Sequence, residues 1–137
     1  MVRRVAMVFG IVFLVVGILG LVSTGGMQMG AEPPPAMILG MFPTNLLHSI
    51  VHLLFGVWGI WAARSFAGAK MYTQVGGVVY IVLAICGLLI PNTFGLIPNG
   101  GNNVWLHAVA GLVLAWAGFM AKEGMGAAAP APGAMKM

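Results

Sequence analysis

Two stretches of the chain carry the same spacing of histidines and small residues: TNLLHSIVHLLFGVWGIWAARS at 44–65 and NNVWLHAVAGLVLAWAGFMAK at 102–122. The first holds His48-x3-His52-x3-Gly56-x2-Gly59, and the second, 59 residues later, holds His107-x3-Gly111-x3-Ala115-x2-Gly118. Each stretch lies in an apolar run, and a helix needs about 20 such residues to cross a membrane. The repeat therefore predicts two counterpart membrane helices that carry all three histidines of the chain.

The composition is typical of a chain that lies in lipid. Of the 137 residues, 61% are hydrophobic and 6% are charged, whereas about a quarter of the residues of a soluble domain are charged. The mean hydropathy is +1.03. Four apolar segments are long enough to cross a membrane: residues 4–23, 45–63, 71–90 and 104–121. They predict an all-α, polytopic four-helix membrane bundle over residues 1–123.

The basic residues predict the orientation of this bundle, because such residues gather on the cytoplasmic side. All six lie on one side if the chain crosses four times: Arg3, Arg4, Arg64, Lys70, Lys122 and Lys136. We expect a multi-pass protein of the bacterial plasma membrane, with both termini and the loop at 64–70 in the cytoplasm and the loops at 24–44 and 91–103 outside. The lipid bilayer is then a partner. The net charge of +4 is spread in ones and twos, which predicts no nucleic-acid surface.

The first and third helices share a second pattern. Gly10-x6-Gly17-x2-Gly20 is matched 67 residues later by Gly77-x6-Ala84-x2-Gly87, with Phe13 matched by Tyr80 and Arg3 by Lys70. The chain is therefore predicted to consist of two duplicated helical hairpins, related by a pseudo-two-fold axis along the membrane normal. Because the first helix has a counterpart, we do not expect it to be cleaved as a signal peptide.

Small residues at helical spacing let helix backbones approach each other closely in lipid. Nine glycines are predicted to form such helix contacts: Gly10, Gly17, Gly20, Gly56, Gly59, Gly77, Gly87, Gly111 and Gly118. The alternative is that some of them make room for a flat cofactor.

The segments between the helices are predicted to be connectors. Glycine and proline interrupt residues 23–43 and 98–101, which disfavours regular structure. Thr44 is the predicted N-cap of the second helix, and Asn102 or Asn103 that of the fourth. The low-complexity segment that follows the last helix, residues 124 to 137, predicts a disordered cytoplasmic tail.

The three histidines are the candidate site. His48 and His52 lie one turn apart on one face of the second helix, and His107 lies at a matching depth in the fourth. Ionisable residues within a membrane span usually face the bundle interior and indicate function. Three imidazoles could bind zinc or copper, an axial pair could hold a haem, and a single histidine could ligate the magnesium of a chlorophyll. His52 is the informative one, because Gly111 takes the place of its counterpart.

Two other roles compete for these histidines. They could hydrogen-bond across helices to Asn45, Asn102, Asn103 or loop carbonyls, which is a common structural role in membrane bundles. Proton transfer is disfavoured, because no Asp or Glu lies within the predicted spans.

Few other residues suggest chemistry. Four methionines on the outward side would suit copper capture, because thioethers favour Cu(I). They are Met27, Met29, Met37 and Met41. Cys86 is the sole cysteine, which excludes an intrachain disulfide or a CxxC motif. The chain has neither a nucleophile elbow nor a nucleotide-binding loop, and we expect that it is not an enzyme.

Three segments together resemble a family of small four-helix bacterial membrane proteins known as a domain of unknown function. They are MFPTNLLHSIVHLLFGVWGIWAARS, KMYTQVGGVVYIVLAICGL and FGLIPNGGNNVWLHAVAGLVLAWAGF, and the resemblance covers most of residues 5–120. It implies an integral membrane protein without an assigned activity. That family often has an acidic residue just before W-L-H, where this chain has Asn102 and Asn103. The departure puts in doubt a site that uses a carboxylate beside His107.

These observations lead to three hypotheses about function. The first is a non-enzymatic bundle that pairs with itself as a homo-oligomer or serves as an accessory subunit of a membrane complex, because its helices carry small-residue surfaces. The second is a membrane protein that binds haem, chlorophyll or a metal through His48, His52 and His107. The third is a small channel or carrier, for which the sequence supplies no charged pore lining.

Overall fold

Four helices and a short β-hairpin make up the structure, a computed structural model that describes residues 1–31 and 34–123. The elements are α1 (Val2–Thr24), β1 (Ala36–Ile38), β2 (Phe42–Thr44), α2 (Leu46–Ala62), α3 (Phe66–Leu89), a 3-10 turn (Thr93–Gly95) and α4 (Asn102–Phe119). The prediction of four helices is confirmed. The predicted tail at 124–137 lies outside the described residues.

Helices α2 and α3 are joined by a tight turn of residues 63–65. The prediction of a loop at 64–70 is wrong, because α3 already begins at Phe66. The hydroxyl of Ser65 accepts a hydrogen bond from the Gly68 backbone N–H at 3.0 Å and so caps the helix.

The same end of the bundle carries the described basic side chains and is called the basic end below. The guanidinium Nε of Arg3 donates to the Ala63 carbonyl at 2.9 Å, which fastens the start of α1 to the α2–α3 turn. The basic residues near this end are Arg3, Arg4, Arg64, Lys70 and Lys122. The opposite end, which carries β1 and β2, is called the hairpin end.

The segment between α1 and α2 contains an antiparallel hairpin, so the prediction of a connector without regular structure is wrong there. Ile38 pairs with Phe42 across the turn, and the Met41 N–H donates to the Ile38 carbonyl at 3.0 Å. Leu39 and Gly40 have positive φ values of 52° and 69°, as in a type I′ turn. Leucine rarely adopts this conformation, which is why the sequence did not indicate the turn.

Helix α1 packs along α2, and α3 packs along α4, with their backbones close together. A Cβ atom on Gly10 would lie 2.7 Å from the Ile60 backbone nitrogen, and one on Gly111 would lie 2.7 Å from that of Ile81. An added Cβ would also come within 3.0 Å of a neighbouring segment at the other seven repeated glycines: Gly17, Gly20, Gly56, Gly59, Gly77, Gly87 and Gly118. Glycine therefore permits both helix pairings.

An aromatic core joins the two helix pairs. Phe13 of α1 stacks on Tyr80 of α3, with ring centroids 4.9 Å apart and planes inclined by 7°. Phe55 of α2 meets Tyr80 edge-on at 5.6 Å. Tyr72 and Leu114 are completely buried beside this cluster.

The outer surface of the bundle is apolar. Helices α1 and α3 are long and apolar enough to cross a membrane, and α2 is apolar but has 17 residues. Two of the four predicted spans thus meet the length and hydropathy of a membrane-crossing helix within the described residues. Each helix presents aliphatic side chains that are more than half exposed, among them Val8, Leu54, Val82 and Leu112.

Candidate metal centre

Three buried histidines meet between the two helix pairs. His48 and His52 lie one turn apart near the start of α2, and His107 lies in the second turn of α4. Their side chains are 6%, 8% and 3% exposed. One ring nitrogen of each can be chosen so that all three atoms lie within 4.8 Å of one another. The structure therefore brings all three candidate residues to one place.

The three rings contact one another and rest on the aromatic core. The ring centroid of His48 lies 4.6 Å from that of His52 and 5.9 Å from that of His107. Phe13 lies 5.7 Å from His52, and Tyr80 lies 5.2 Å from His107. The stacked Phe13–Tyr80 pair thus forms one wall of the site.

The hydrogen bonds of the imidazoles leave ring nitrogens free. The Nδ1 of His52 lies 3.0 Å from the His48 carbonyl, and because a carbonyl only accepts, this Nδ1 carries the proton. The Nε2 lone pair of His52 is then available to a ligand. The Nδ1 atoms of His48 and His107 are buried without a hydrogen-bond partner. The interhelical hydrogen bonds that would have explained the histidines structurally are not found among the described residues.

Asn45 positions the start of α2 beneath the histidines. Its side-chain oxygen accepts from the His48 backbone N–H at 2.8 Å, and its amide nitrogen donates to the Met29 and Leu96 carbonyls at 2.9 and 2.6 Å. The predicted N-cap, Thr44, is therefore wrong, because Asn45 holds that position. One buried amide ties α2 to both connecting segments.

Asn103 has a similar role at the start of α4. Its amide nitrogen donates to the carbonyls of Pro43 and Pro98, both at 2.8 Å. The N-cap of α4 is Gly101, without a side-chain cap, so the prediction that Asn102 or Asn103 caps this helix is wrong. Sequence reasoning missed that these amides tie segments together; the signal it could have used is an asparagine two residues after Pro43 or Gly101, at the start of an apolar run.

Three cavities reach the histidines. One, of 220 Å³ beside His52 and His107, is lined mainly by α1 and α4, and a second, of 180 Å³ beside all three rings, is lined by α1, α4 and the β-hairpin. A third, of 170 Å³, is lined by α2 and α3. All are smaller than the roughly 300–1,000 Å³ of typical small-molecule sites. Because the ligand atom of the third ring lies within 4.8 Å of the other two, it stands in the space that a haem held between two of the rings would need, so an ion fits this site better than a tetrapyrrole does.

The site contains no charged partner for a cation in the part of the chain that the structure describes. The group of possible metal ligands comprises the three histidines, without a carboxylate or Cys86. Glu123 follows α4 at the basic end, and Glu32 lies outside the described residues. The donors are therefore neutral imidazoles.

Three imidazoles can bind a transition metal and leave one coordination position open. Two nitrogens bound to one ion at about 2.1 Å are at most about 4.2 Å apart. Since the ligand atoms here are up to 4.8 Å apart, metal binding would draw the rings slightly together.

The fold and the site define a four-helix protein with a buried histidine cluster between two helix pairs. The chain belongs to the family described as Domain of unknown function (DUF4383), whose model matches residues 3–120. The predicted membership of a family of unknown function is thereby confirmed. No curated protein and no solved structure matches the chain.

Proposed function

We propose that this protein is a membrane-embedded bundle that binds one transition-metal ion on His48, His52 and His107. The observation that carries the proposal is the convergence of three buried imidazoles whose ligand atoms lie within 4.8 Å of one another. Buried polar atoms normally have a hydrogen-bond partner, and leaving them without one is costly. A bound ion would satisfy the lone pairs that the protein itself leaves free.

The membrane part of the proposal is supported by the surface of the bundle. Every helix exposes aliphatic side chains, large apolar patches are rare on soluble monomers, and the described basic side chains lie at one end. Helices α2 and α4 have 17 and 18 residues, which a thinner or locally thinned bilayer accommodates. With the basic end in the cytoplasm, the histidines lie in the outer leaflet.

The duplication of two hairpins is supported by contacts between counterparts. Phe13 and Tyr80 occupy equivalent positions of the repeat and stack on each other. His48 and His107 are also equivalent, and their rings meet edge to face at 5.9 Å. Residues close to a two-fold axis contact their own counterparts in this way, so we place the pseudo-two-fold axis through these two pairs.

Metal content tests the proposed function. Wild type and the variants His48→Ala, His52→Ala and His107→Ala are purified in mild detergent, loaded with zinc or copper, desalted and analysed by elemental mass spectrometry. We expect about one ion per wild-type chain and less than about a tenth of that in each variant, because an ion with two imidazoles dissociates readily.

Trp105→Phe is the matched control, since Trp105 lies on α4 two residues from His107 and is 52% exposed. It should bind metal like the wild type. A folded wild-type protein that binds no metal, or three histidine variants that all retain it, would contradict the proposal.

The topology has a separate test. A reporter that works only in the cytoplasm should be active when it is fused after Lys122. A reporter that works only outside the cytoplasm should be active when it is inserted near Met29. The opposite result at either site would overturn the four-span arrangement.

A second candidate function is that of an accessory subunit, and one surface favours it. Leu39 and Phe94 lie at the hairpin end, are 74% and 82% exposed, and both have positive φ. Large apolar side chains displayed in this way suit contact with another protein. Native electrophoresis of solubilised membranes should then show a complex larger than the monomer, which Phe94→Asp disrupts; migration as a monomer would exclude this role.

A further inference from the structure

The chemistry of the histidine cluster also indicates which metal it takes. We propose that the ion is monovalent copper, Cu(I), and this inference rests on the proposed metal-binding function. It follows from the charge of the site, the number of its ligands and the side chains at the hairpin end.

The charge of the site favours a monovalent ion. The group of His, Cys, Asp and Glu side chains in the described residues that could hold an ion consists of three neutral imidazoles, and the surrounding walls are formed by apolar side chains such as Phe13, Val16 and Leu106. The cost of moving an ion from water into such a medium grows with the square of its charge, so a divalent ion pays about four times the penalty of a monovalent one of equal size. Zinc sites usually offset that penalty with thiolates or carboxylates, which this cluster lacks.

The number of ligands points to the same ion. Cu(I) is stable with three nitrogen ligands in a trigonal arrangement, whereas Zn²⁺ adds a fourth ligand, usually water in an open site. Here the cluster offers three donors. Neither Cys86 nor a carboxylate of the described residues joins it. A three-coordinate ion leaves no coordination position that requires water in this apolar setting.

The hairpin end carries side chains that select the same ion. Four methionines there are between 41% and 84% exposed: Met27, Met29, Met37 and Met41. Thioethers bind Cu(I) and have little affinity for Zn²⁺. One of these residues is joined to the site, because the Met29 carbonyl accepts from Asn45, which caps the helix of His48. The methionines thus lie where an ion coming from the hairpin end would arrive.

The test compares two metals on one protein. Full-length protein in lipid nanodiscs is titrated without oxygen, with Cu(I) against a chromophoric Cu(I) chelator and with Zn²⁺ against a zinc indicator. We expect one Cu(I) per chain and an affinity for Cu(I) at least about a hundredfold higher than for Zn²⁺.

Two variants locate the ion. His52→Gln should lower the Cu(I) affinity by about a hundredfold or more, because the loss of even an outer-shell partner costs about 10–100-fold. Glu32→Gln should leave it unchanged, since the ligands are neutral. Glutamine is close in size to histidine, and an unchanged elution volume and helical circular dichroism will show that the His52→Gln protein is folded.

The outcomes separate the two proposals. Tighter binding of Zn²⁺ than of Cu(I) at the histidines would overturn the choice of copper and leave the metal site intact. Loss of Cu(I) binding in Glu32→Gln would overturn the argument from neutral ligands. If folded wild-type protein binds neither ion, both the metal site and its copper preference are wrong.

Discussion

The α1–α2 pair and the α3–α4 pair share their packing glycines and one histidine, and they differ in whether a second histidine follows. Within each pair, glycines of one helix lie against the other helix. Each pair also carries one histidine near the start of its second helix. One turn further along, the first pair has His52 where the second has Gly111. Gly111 lies against the backbone of Ile81, whereas His52 turns its ring toward the centre of the bundle, beside Phe13.

The aromatic residues follow the same division. Phe55 and Trp58 of α2 pack against Tyr72 of α3, while their repeat counterparts on α4 are the smaller Leu114 and Ala117. Residues of α1 and α4 line the cavities of 220 and 180 Å³ that reach the histidines. The shared positions include the packing glycines and the equivalent His48 and His107, and the position that differs, His52 in place of a glycine, supplies the third imidazole of the cluster.

The largest effect on stability is expected at the helix starts, where the two pairs are tied differently. Asn45→Ala removes three hydrogen bonds, one of which is the helix cap, and at about 1 kcal/mol each it should cost about 3–4 kcal/mol. Asn103→Ala removes two and should cost about 2 kcal/mol. Unfolding by denaturant in detergent measures both. If Asn45→Ala lowers the free energy of unfolding no more than Asn103→Ala does, the helix cap of Asn45 adds no stability.

Metal binding should stabilise the protein only when the first pair carries His52, the position at which the second pair has Gly111. A ligand at 100 times its dissociation constant raises the free energy of unfolding by about 2.7 kcal/mol. Wild-type protein should gain this amount on loading, and His52→Gly, which gives the first pair the residue of the second, should gain less than about a quarter of it. Thermal unfolding of the loaded and metal-free forms provides the comparison. The same gain in both proteins would place the ion elsewhere.

The shared glycine contacts should be sensitive to one added methyl group. In Gly77→Ala the new Cβ meets the backbone of Ala115, and overpacking against a backbone costs about 1–3 kcal/mol. Gly76→Ala is the matched control, because its nearest neighbour is a flexible methyl of Leu114 at 3.3 Å. That variant should be neutral or gain up to about 1 kcal/mol from helix propensity. Equal effects at Gly76 and Gly77 would contradict close backbone contact.

The smallest expected effect concerns the stacked pair at the centre. Phe13→Leu keeps an apolar side chain but removes the stack on Tyr80, which is worth about 0.5–1.5 kcal/mol. Phe94→Leu, at a residue that is 82% exposed, should change stability by less than about 0.5 kcal/mol. Chemical denaturation distinguishes the two. If the variants behave alike, the stack does not hold the pairs together.

The helices could be predicted from the sequence because their apolar runs are long, whereas their limits depended on individual side chains. The start of α3 at Phe66 depends on the Ser65 hydroxyl, which caps the helix. The sequence analysis missed this cap because Ser65 follows the end of α2 by only three residues. The hairpin depends on Leu39 in a left-handed conformation. Leucine rarely adopts this conformation, so the sequence does not indicate the turn.

The convergence of the three histidines could be predicted from the sequence, but their surroundings could not. The helical spacing of His48 and His52 places them on one face, and the repeat relates His107 to His48. The imidazole nitrogens lack interhelical hydrogen bonds because the nearby asparagine side chains bond to other groups. Asn45 and Asn103 donate to backbone carbonyls far along the chain, and a single sequence does not show which segments meet there.

X-ray absorption at the edge of the bound metal tests the histidine site most directly. Protein loaded without oxygen should show about three nitrogen neighbours at about 2.0 Å, with the outer-shell scattering of imidazole rings. His52→Gln should lose that pattern. A nearest shell of sulfur at about 2.3 Å, which would come from methionine or Cys86, or an oxygen shell without imidazole scattering, would contradict a metal centre built on His48, His52 and His107.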